Sequence, residues 1–335
     1  MTTDVVPIID FSPLRTGNAL ARKDIAMRVG RACEDIGFFM VSGHGIAPHI
    51  IERAYSMALA FFDLPEDKKL QSLKPAVDIN RGYSPFRSRT VGAEIDKGLK
   101  PSLQEGFAIG QPNVPEESYF QGPQALNNFA PDIWPRQPTG FEDAMRAYYR
   151  AMEKLSQTIV NVFADTLRLP GQFFAEKMSN HISTLRLVHY PAFEGEPEPG
   201  AIRSGEHSDT GVLTILLIDE NPGLQVKTRT GHWVDIKRVP DVFIVNIGDM
   251  MMQWTNDRWI STRHRVVNPP KGTSGAARRL SIPYFSQPNY DAMIACIETC
   301  TGPDNPPKYL PVTSGEHRLK RHEAIYGFSA AGEKE

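Results

Sequence analysis

The residues best suited to chemistry are a histidine and an aspartate two positions apart in the segment GEHSDTG. On an extended segment such side chains point to the same face, so His207 and Asp209 can hold adjacent positions on one metal ion. The pair alone arises easily by chance. His264, at the head of the predicted strand HRVV, supplies a third ligand if that strand lies alongside. Two histidines and one carboxylate form a facial triad with open positions, which is typical of non-haem Fe(II) oxygenases rather than structural zinc.

A second constellation follows in the segment RLSIPYF, where Arg279 and Ser281 occupy alternate positions of a predicted strand. Both side chains should therefore face the same pocket. A guanidinium binds a carboxylate through two parallel hydrogen bonds and a serine hydroxyl adds another, so the pair suits the far end of a dicarboxylate. The alternative for an isolated arginine is the protein surface, and we predict that location for Arg278.

Length, composition and charge disfavour several function classes. The chain has 335 residues, 41% of them hydrophobic, and its 37 basic and 39 acidic side chains give a formal charge of -2. This balance provides no field for a polyanion such as nucleic acid. The apolar stretches are far shorter than the roughly 20 residues of a membrane helix. The opening MTTDVVPIIDF lacks a signal core, and the cysteines lack metal or redox spacing. We predict a cytoplasmic protein that acts on a small molecule and binds neither nucleic acid nor membrane.

Hydrophobic periodicity predicts an α+β fold that is mainly β. Apolar residues at helical spacing predict flanking helices and one long central helix: Leu20–Ile36, Pro48–Phe62, Gly140–Leu169 and Thr313–Gly327. Short β-branched or aromatic runs predict strands: Pro7–Phe11, Phe38–Val41, Thr184–Tyr190, Gly211–Ile218, Gly223–Lys227, His232–Ile236, Val242–Ile247, His264–Val267 and Leu280–Ser286. Many short strands at this spacing are typical of a jelly roll, or double-stranded β-helix, whose two sheets enclose a pocket. His44 is predicted to be a turn or packing residue.

Residues 75–138, rich in proline, glycine and charge, are predicted to form a long loop without regular structure. Such a loop is either a lid over the site or a solvated connector, and we call it the lid segment. Five of its basic residues would suit an acidic substrate, although charges in loops are usually solvated: Arg81, Arg87, Arg89, Lys97 and Lys100. The basic stretch HRLKRH in the last helix is expected to be solvated. We divide the chain into residues 1–138 and a catalytic region, residues 139–335, within one compact unit.

Six motifs, in order along almost the whole chain, resemble the isopenicillin N synthase-like family of Fe(II)/2-oxoglutarate-dependent dioxygenases. They are PIIDF, IGFFMVSGHGI, LQEGFAIG, HSDTGVLTILL, NIGDMMMQWTNDRWISTRHRVV and RLSIPYFSQPN. The resemblance implies Fe(II) as the metal, held by His207, Asp209 and His264, with 2-oxoglutarate and O2 as cosubstrates. It also implies that Arg279 and Ser281 bind the distal carboxylate of 2-oxoglutarate.

The same resemblance makes Tyr190 a further cosubstrate contact. The family often has an asparagine two residues earlier, where this chain has Val188, so one cosubstrate contact is in question. His189, between the two, is predicted to lie on the opposite face of the strand.

The implied reaction converts 2-oxoglutarate to succinate and CO2 and oxidises a C–H bond of a small organic molecule, usually by hydroxylation. Desaturation, ring closure and demethylation remain open. So do a family oxidase that does not use 2-oxoglutarate and a non-catalytic binding protein on the same fold; a hydrolytic zinc enzyme lacks a candidate base near the triad in sequence. Four aromatic residues flank the metal strands and either line the pocket, foremost Phe285, or fill the core: Trp254, Trp259, Tyr284 and Phe285.

Overall fold

The computed structural model describes residues 6–76, 79–125, 127–192, 197–270 and 278–326, with side chains described as far as residue 321. Its α-helices are Ala19–Asp35 (α1), Pro48–Phe62 (α2), Glu66–Lys69 (α3), Ser118–Gln121 (α4), Phe141–Thr166 (α5), Phe173–Lys177 (α6), Asp249–Trp254 (α7) and Ser314–Tyr326 (α8). Short 3-10 helices lie at Ser12–Thr16, Leu70–Ser72, Pro123–Ala125 and Glu298–Cys300. The predicted end of the last helix, Gly327, lies outside the described residues.

The strands follow the predicted order along the chain, with several additions. They are Ile8–Asp10 (β1), Phe38–Ser42 (β2), Gly82–Ser84 (β3), Glu105–Ile109 (β4), Thr184–Tyr190 (β5), Ser204–His207 (β6), Leu213–Ile218 (β7), Leu224–Lys227 (β8), Trp233–Asp235 (β9), Phe243–Ile247 (β10), His264–Val266 (β11), Arg279–Ser286 (β12), Met293–Ile294 (β13) and Val312–Thr313 (β14). Strand β6 is an addition because its sequence, SGEH, holds none of the β-branched or aromatic residues that mark a strand.

Two sheets enclose a common cavity and confirm the jelly-roll prediction. The larger sheet has the strand order β1-β2-β10-β7-β12-β5-β4-β3, and the smaller sheet has the order β6-β11-β8-β9. Their paired strands are antiparallel except β1 and β2, which run parallel. Side chains of both sheets line the cavity. The sheets therefore position residues from distant parts of the chain on facing walls.

Strand β12 shows how one segment serves both the site and the core. Its odd-numbered side chains line the cavity: Arg279, Ser281, Pro283 and Phe285. The even-numbered ones are buried in the core on the other face: Leu280, Ile282 and Tyr284. This alternation follows from the two-residue period of a strand.

The long central helix is confirmed as α5. Its predicted stripe is buried in the core: Phe141, Met145, Tyr148, Met152, Leu155, Ile159 and Val162. The helix packs against α1, α2 and the larger sheet, so it supports the outer face of that sheet. It ends at Thr166, ahead of Pro170, because the backbone turns left-handed at Arg168 with φ 56°. Among the described residues, no helix has the length and apolar character needed to cross a membrane.

The prediction that residues 75–138 lack regular structure is wrong, because β3 and β4 lie there and join the larger sheet. Glu105, which begins β4, is 4% exposed and is a carboxylate inside a strand. Three donors satisfy it: Lys69 Nζ at 2.8 Å, the Tyr83 hydroxyl at 2.5 Å and His189 Nδ1 at 2.7 Å. A buried charge at the start of a strand breaks the apolar pattern, which is why periodicity missed the strand.

Candidate active site

Antiparallel pairing of β6 with β11 brings two of the predicted ligands side by side. His264 at the start of β11 lies opposite His207 at the end of β6, and their ring centroids are 4.3 Å apart. Asp209 follows in the loop after β6 rather than in a strand, and its Oδ1 lies 3.8 Å from His264 Nε2. One ligand atom from each of the three side chains lies within 4.8 Å of the others. The structure therefore brings His207, Asp209 and His264 to a common point.

Backbone carbonyls orient both imidazoles toward that point. The Nδ1 of His207 donates to the Gly205 carbonyl at 2.8 Å, and the Nδ1 of His264 donates to the Thr262 carbonyl at 3.1 Å. Because a carbonyl only accepts, Nδ1 carries a proton in each ring, so that in the neutral imidazole the lone pair is on Nε2. Outer contacts of this kind fix the tautomer and the ring orientation of metal-binding histidines.

Asp209 is held by two side chains that the sequence patterns did not single out. The Thr214 hydroxyl and the Asn246 amide both donate to Oδ2, at 2.6 and 2.7 Å, which leaves Oδ1 toward the histidines. Thr214 lies in β7 and Asn246 in β10, two strands that were predicted from apolar runs. A polar residue inside an apolar run was the one sign in the sequence that these side chains have a role. The carboxylate therefore offers one fixed oxygen to a metal.

The protonation states also suit a divalent metal. Burial, with the neighbouring His264, lowers the pKa of His207 to about 4, so its ring is neutral at neutral pH. Burial alone would raise the pKa of Asp209, but the two imidazoles and the Thr214 and Asn246 hydrogen bonds hold it below its ordinary value. Two imidazole nitrogens and one carboxylate oxygen on a single side fit Fe(II) with open coordination positions.

Arg279 provides a fixed cationic end to the cavity. It is 1% exposed, and its Nη1 donates to the Asn221 carbonyl and, at 3.4 Å, to Asp219 Oδ1. Its Nε and Nη2 are buried and have no hydrogen-bond partner among the described residues. Ser281 lines the same wall. A guanidinium held on one side with two remaining nitrogens fits a carboxylate ligand such as one end of 2-oxoglutarate.

Strand β5 lies beside β12 in the larger sheet and continues the same wall of the cavity. Tyr190 is paired with Arg279 and Val188 with Ser281, and both line the cavity. Val188 packs in an apolar cluster, so the chain presents no amide at this position. His189 lies on the other face, as predicted, where it is stacked on Phe62 with ring centroids 4.7 Å apart. The departure from the family pattern therefore leaves an apolar wall beside the serine.

A second buried arginine, Arg203, which the sequence motifs did not indicate, lies close to the ring of Tyr190. Arg203 is 1% exposed, and its guanidinium carbon lies 5.8 Å from the centroid of the Tyr190 ring. Burial, with the charge of Arg279, lowers the pKa of Arg203 to about 10. It lies just before β6 in a segment without a motif, so only the folded chain reveals the second cation at this end.

The cavity between the sheets has a volume of about 290 Å³ and extends from Arg279 past the triad to the lid segment. Of the four aromatic residues predicted either to line the pocket or to fill the core, Phe285 lines the cavity. The other three belong to the core: Trp254, Trp259 and Tyr284. The cavity as a whole therefore has the size of a site for small molecules.

The lid segment reaches the cavity mainly through residues 89–94. Of the five basic residues named above, Arg89 lines the cavity. Arg81 is buried and paired with Asp132 at 3.2 Å, and Arg87 and Lys100 both pair with Glu198. Lys97 is exposed.

The expectation that HRLKRH is a solvated face is wrong for its arginines. Arg318 lines the cavity, and Arg321 donates to Asp249 Oδ2 at 3.1 Å and to the Ser208 hydroxyl at 3.2 Å. Ser208 lies between two of the triad residues in sequence. Charge composition could not reveal this because the partners lie about 70 and 110 residues earlier in the chain. The side chain of His322 lies outside the described residues. Arg278 lies near the surface, as predicted, with 32% of its side chain exposed, and it pairs there with Asp63 at 2.7 Å.

Comparison with known proteins agrees with this geometry. Residues 6–137 match the family model "non-haem dioxygenase in morphine synthesis N-terminal", and residues 181–288 match the "2OG-Fe(II) oxygenase superfamily". The chain is 32% identical over 340 residues to the 2-oxoglutarate-Fe(II) type oxidoreductase hxnY of Emericella nidulans, which covers all of this chain and 94% of that protein. The chain therefore belongs to the 2OG-Fe(II) oxygenase superfamily.

Solved structures of this superfamily share the whole fold. The crystal structure of a full-length Neurospora crassa protein in complex with alpha-KG, which is 2-oxoglutarate, and thymine is 31% identical with a TM-score of 0.85 and covers 97% of this chain and 99% of that one. The structure of JOX2 in complex with 2OG, Fe and JA is 29% identical with a TM-score of 0.75 and covers 94% and 84%. The protein is thus a non-haem Fe(II)/2-oxoglutarate-dependent oxygenase with a jelly-roll core.

Proposed function

We propose that His207, Asp209 and His264 hold the Fe(II) ion and that Arg279, Ser281 and Tyr190 hold the distal carboxylate of 2-oxoglutarate. The observation that supports this assignment is that one cavity is lined both by the three proposed metal ligands and by Arg279. Three convergent ligand atoms lie on its wall, and Arg279 lies on the same cavity with two buried nitrogens that have no hydrogen-bond partner in the described part of the chain.

The overall reaction is hydroxylation of a small organic molecule. Bound Fe(II) supplies O2 activation coupled to the conversion of 2-oxoglutarate to succinate and CO2, and one oxygen atom passes to a C–H bond of the substrate. The protein's own part is positioning and shielding. The carbonyls of Gly205 and Thr262 orient each imidazole so that Nε2 faces the metal site, and Arg279 would fix which end of the cosubstrate points away from the metal.

Two segments limit the access of water to the triad. Residues 89–94 of the lid segment line the cavity, and α8 adds Arg318. Arg321 ties α8 to Ser208 and Asp249, beside the loop that carries Asp209. A covered site protects a strong oxidant from solvent until the substrate is in place.

We infer that this reaction takes place in the cytoplasm, on a diffusible small molecule rather than a nucleic acid or a membrane component. The three cysteines are free thiols, which suits a reducing compartment. The nearly balanced charge of the whole chain gives no broad field for a polyanion.

The test is Fe(II)-dependent succinate release from 2-oxoglutarate, measured with the wild type, His207→Gln and, as a matched control, the exposed His49→Gln. We expect release by the wild type and the His49 variant and none above background by the His207 variant. Equal release by all three would overturn the ligand assignment. Substrate-driven O2 uptake without 2-oxoglutarate would instead support the family oxidase that does not use this cosubstrate.

A further inference from the structure

Asp219 is a buried carboxylate that contacts Arg279 but does not line the cavity. It comes directly after β7 and is 7% exposed. Its Oδ1 lies 3.4 Å from Nη1 of Arg279. Asp219 therefore acts on a molecule in the cavity through the guanidinium rather than by direct contact.

Both oxygens of this carboxylate are held by hydrogen bonds. Oδ1 accepts the backbone N–H of Asn221 at 3.1 Å as well as Nη1 of Arg279. Oδ2 accepts the backbone N–H of Leu280 at 2.6 Å, and the backbone N–H of Asp219 donates to the Leu280 carbonyl at 3.3 Å. Three donors on two oxygens thus set both the position and the plane of the carboxylate.

The turn that begins at Asp219 also holds the start of β12. The Asn221 carbonyl accepts a hydrogen bond from Nη1 of Arg279, and the Asn221 side-chain amide donates to the Arg278 carbonyl at 2.7 Å. An aspartate that accepts the N–H two residues later is typical of such a turn. The turn therefore contacts each of residues 278–280.

Both contacts from the turn to the guanidinium of Arg279 go to one nitrogen, Nη1. A guanidinium is planar, so fixing Nη1 limits the directions in which Nε and Nη2 can point. Those two nitrogens are the ones without a hydrogen-bond partner in the part of the chain that the structure describes. A group that is oriented before its ligand arrives loses less conformational freedom on binding.

The negative charge of Asp219 would by itself disfavour an anion at Arg279. Burial lowers the pKa of Arg279, whereas the charge of Asp219 acts in the opposite direction and favours the protonated guanidinium. The same charge repels a carboxylate that approaches Arg279. If charge alone mattered, its removal would strengthen the binding of a dicarboxylate. If orientation matters more, its removal would weaken that binding, so the two effects differ in sign.

We propose that Asp219 is a positioning residue, which orients Arg279 for the distal carboxylate of 2-oxoglutarate. This inference rests on the proposed function, because it takes Arg279 to bind that carboxylate. An asparagine at this position cannot do the same, since an amide has a single acceptor oxygen. Either the Leu280 N–H or Nη1 of Arg279 would then face an NH2 group.

The test compares two 2-oxo acids that differ at the far end. Fe(II)-loaded protein without O2 is titrated calorimetrically with 2-oxoglutarate and with 2-oxopentanoate, which has a methyl group in place of the distal carboxylate. We expect Asp219→Asn to bind 2-oxoglutarate about tenfold more weakly than the wild type, since a hydrogen bond to a charged group is worth about that factor. Binding of 2-oxopentanoate should not change, because it has no carboxylate for Arg279 to bind.

Glu220→Gln is the matched control for charge. Glu220 is the next residue, is 73% exposed and pairs with Arg238, so this variant removes one negative charge from the same turn without touching Arg279. It should bind both acids as the wild type does.

A second variant loosens the turn without changing any charge. Asn221→Ala removes the side-chain hydrogen bond to the Arg278 carbonyl. It should weaken the binding of 2-oxoglutarate and leave that of 2-oxopentanoate unchanged. This variant decides the question if Asp219→Asn does not fold.

Three results would overturn the proposal. Unchanged or tighter binding of 2-oxoglutarate by Asp219→Asn would mean that orientation of Arg279 by Asp219 is not needed. Equal weakening for both acids would mean that Asp219 has a general structural role. The same weakening in Glu220→Gln would mean that the charge of the turn matters and the contact with Arg279 does not.

The two proposals fail separately in this experiment. A wild type that binds the two acids equally well would refute the assignment of Arg279 to the distal carboxylate, and with it this inference. A wild type that prefers 2-oxoglutarate, with the same preference in Asp219→Asn, would leave that assignment intact and refute only the role of Asp219.

Discussion

Replacing Arg279 by glutamine is expected to raise the KM for 2-oxoglutarate about a hundredfold while the iron content stays unchanged. Two guanidinium nitrogens, Nε and Nη2, are available to a carboxylate, and Nη1 is held by Asp219 and Asn221. Each hydrogen bond to a charged group is worth at least about 1.5 kcal/mol, so losing two costs about 3 kcal/mol, or roughly two decades of affinity. Iron binding is unaffected because Arg279 is not among the three ligands.

The assay follows succinate release against 2-oxoglutarate concentration, together with the iron content of each protein. Arg279→Lys should fall between the wild type and the glutamine variant, because a lysine keeps the charge but not the paired geometry. Arg278→Gln is the matched control, since its guanidinium pairs with Asp63 and does not line the cavity. A normal KM in Arg279→Gln, or loss of its iron, would refute the assignment.

Three further expectations concern groups that support the site. Thr214→Val should weaken Fe(II) binding about tenfold, measured by equilibrium titration, because it removes the 2.6 Å donor to Asp209 Oδ2. Glu105→Gln should lower the free energy of unfolding in urea by about 3 kcal/mol, because the buried carboxylate has three donors. Those donors outweigh burial and hold its pKa below the ordinary 4.5, so in the wild type its contribution is complete above that pH and is lost as the pH falls through the folded-state value. Arg321→Gln should speed amide exchange across α8, because it releases the tie to Asp249.

Each of these has a result that contradicts it. Unchanged Fe(II) affinity in Thr214→Val would mean that the hydroxyl does not orient the ligand. Equal free energies of unfolding for the wild type and Glu105→Gln at pH 7, together with a wild type that loses no stability in acid, would mean that Glu105 does not stabilise the fold. Wild-type exchange rates in Arg321→Gln would show that other contacts keep α8 docked.

The convergence of the three proposed metal ligands was predictable because its signals are local. His207 and Asp209 are two residues apart, and His264 needed only the pairing of one neighbouring strand. The shared position of Arg279 and Ser281 on the cavity wall was predictable for the same reason, because they alternate on a single strand. A two-residue period fixes which side chains share a face without knowledge of the whole fold.

The parts that sequence patterns missed depend on contacts between distant segments. Glu105 is acceptable inside a strand only because Lys69, Tyr83 and His189 surround it. Arg318 appears solvated in a basic run, and only the docking of α8 turns it into the cavity. Whether a charged side chain is buried and paired or exposed to solvent depends on tertiary contacts, which composition does not contain.

The most direct test of the central claim is the stoichiometry of Fe(II) binding by equilibrium dialysis without O2. The wild type and the exposed control variant Asp304→Asn should each bind one Fe(II) per chain. Asp209→Ala should bind none at the same free concentration, because only two of the three convergent ligands remain. Full Fe(II) occupancy in Asp209→Ala would contradict the claim that these three side chains form the metal site.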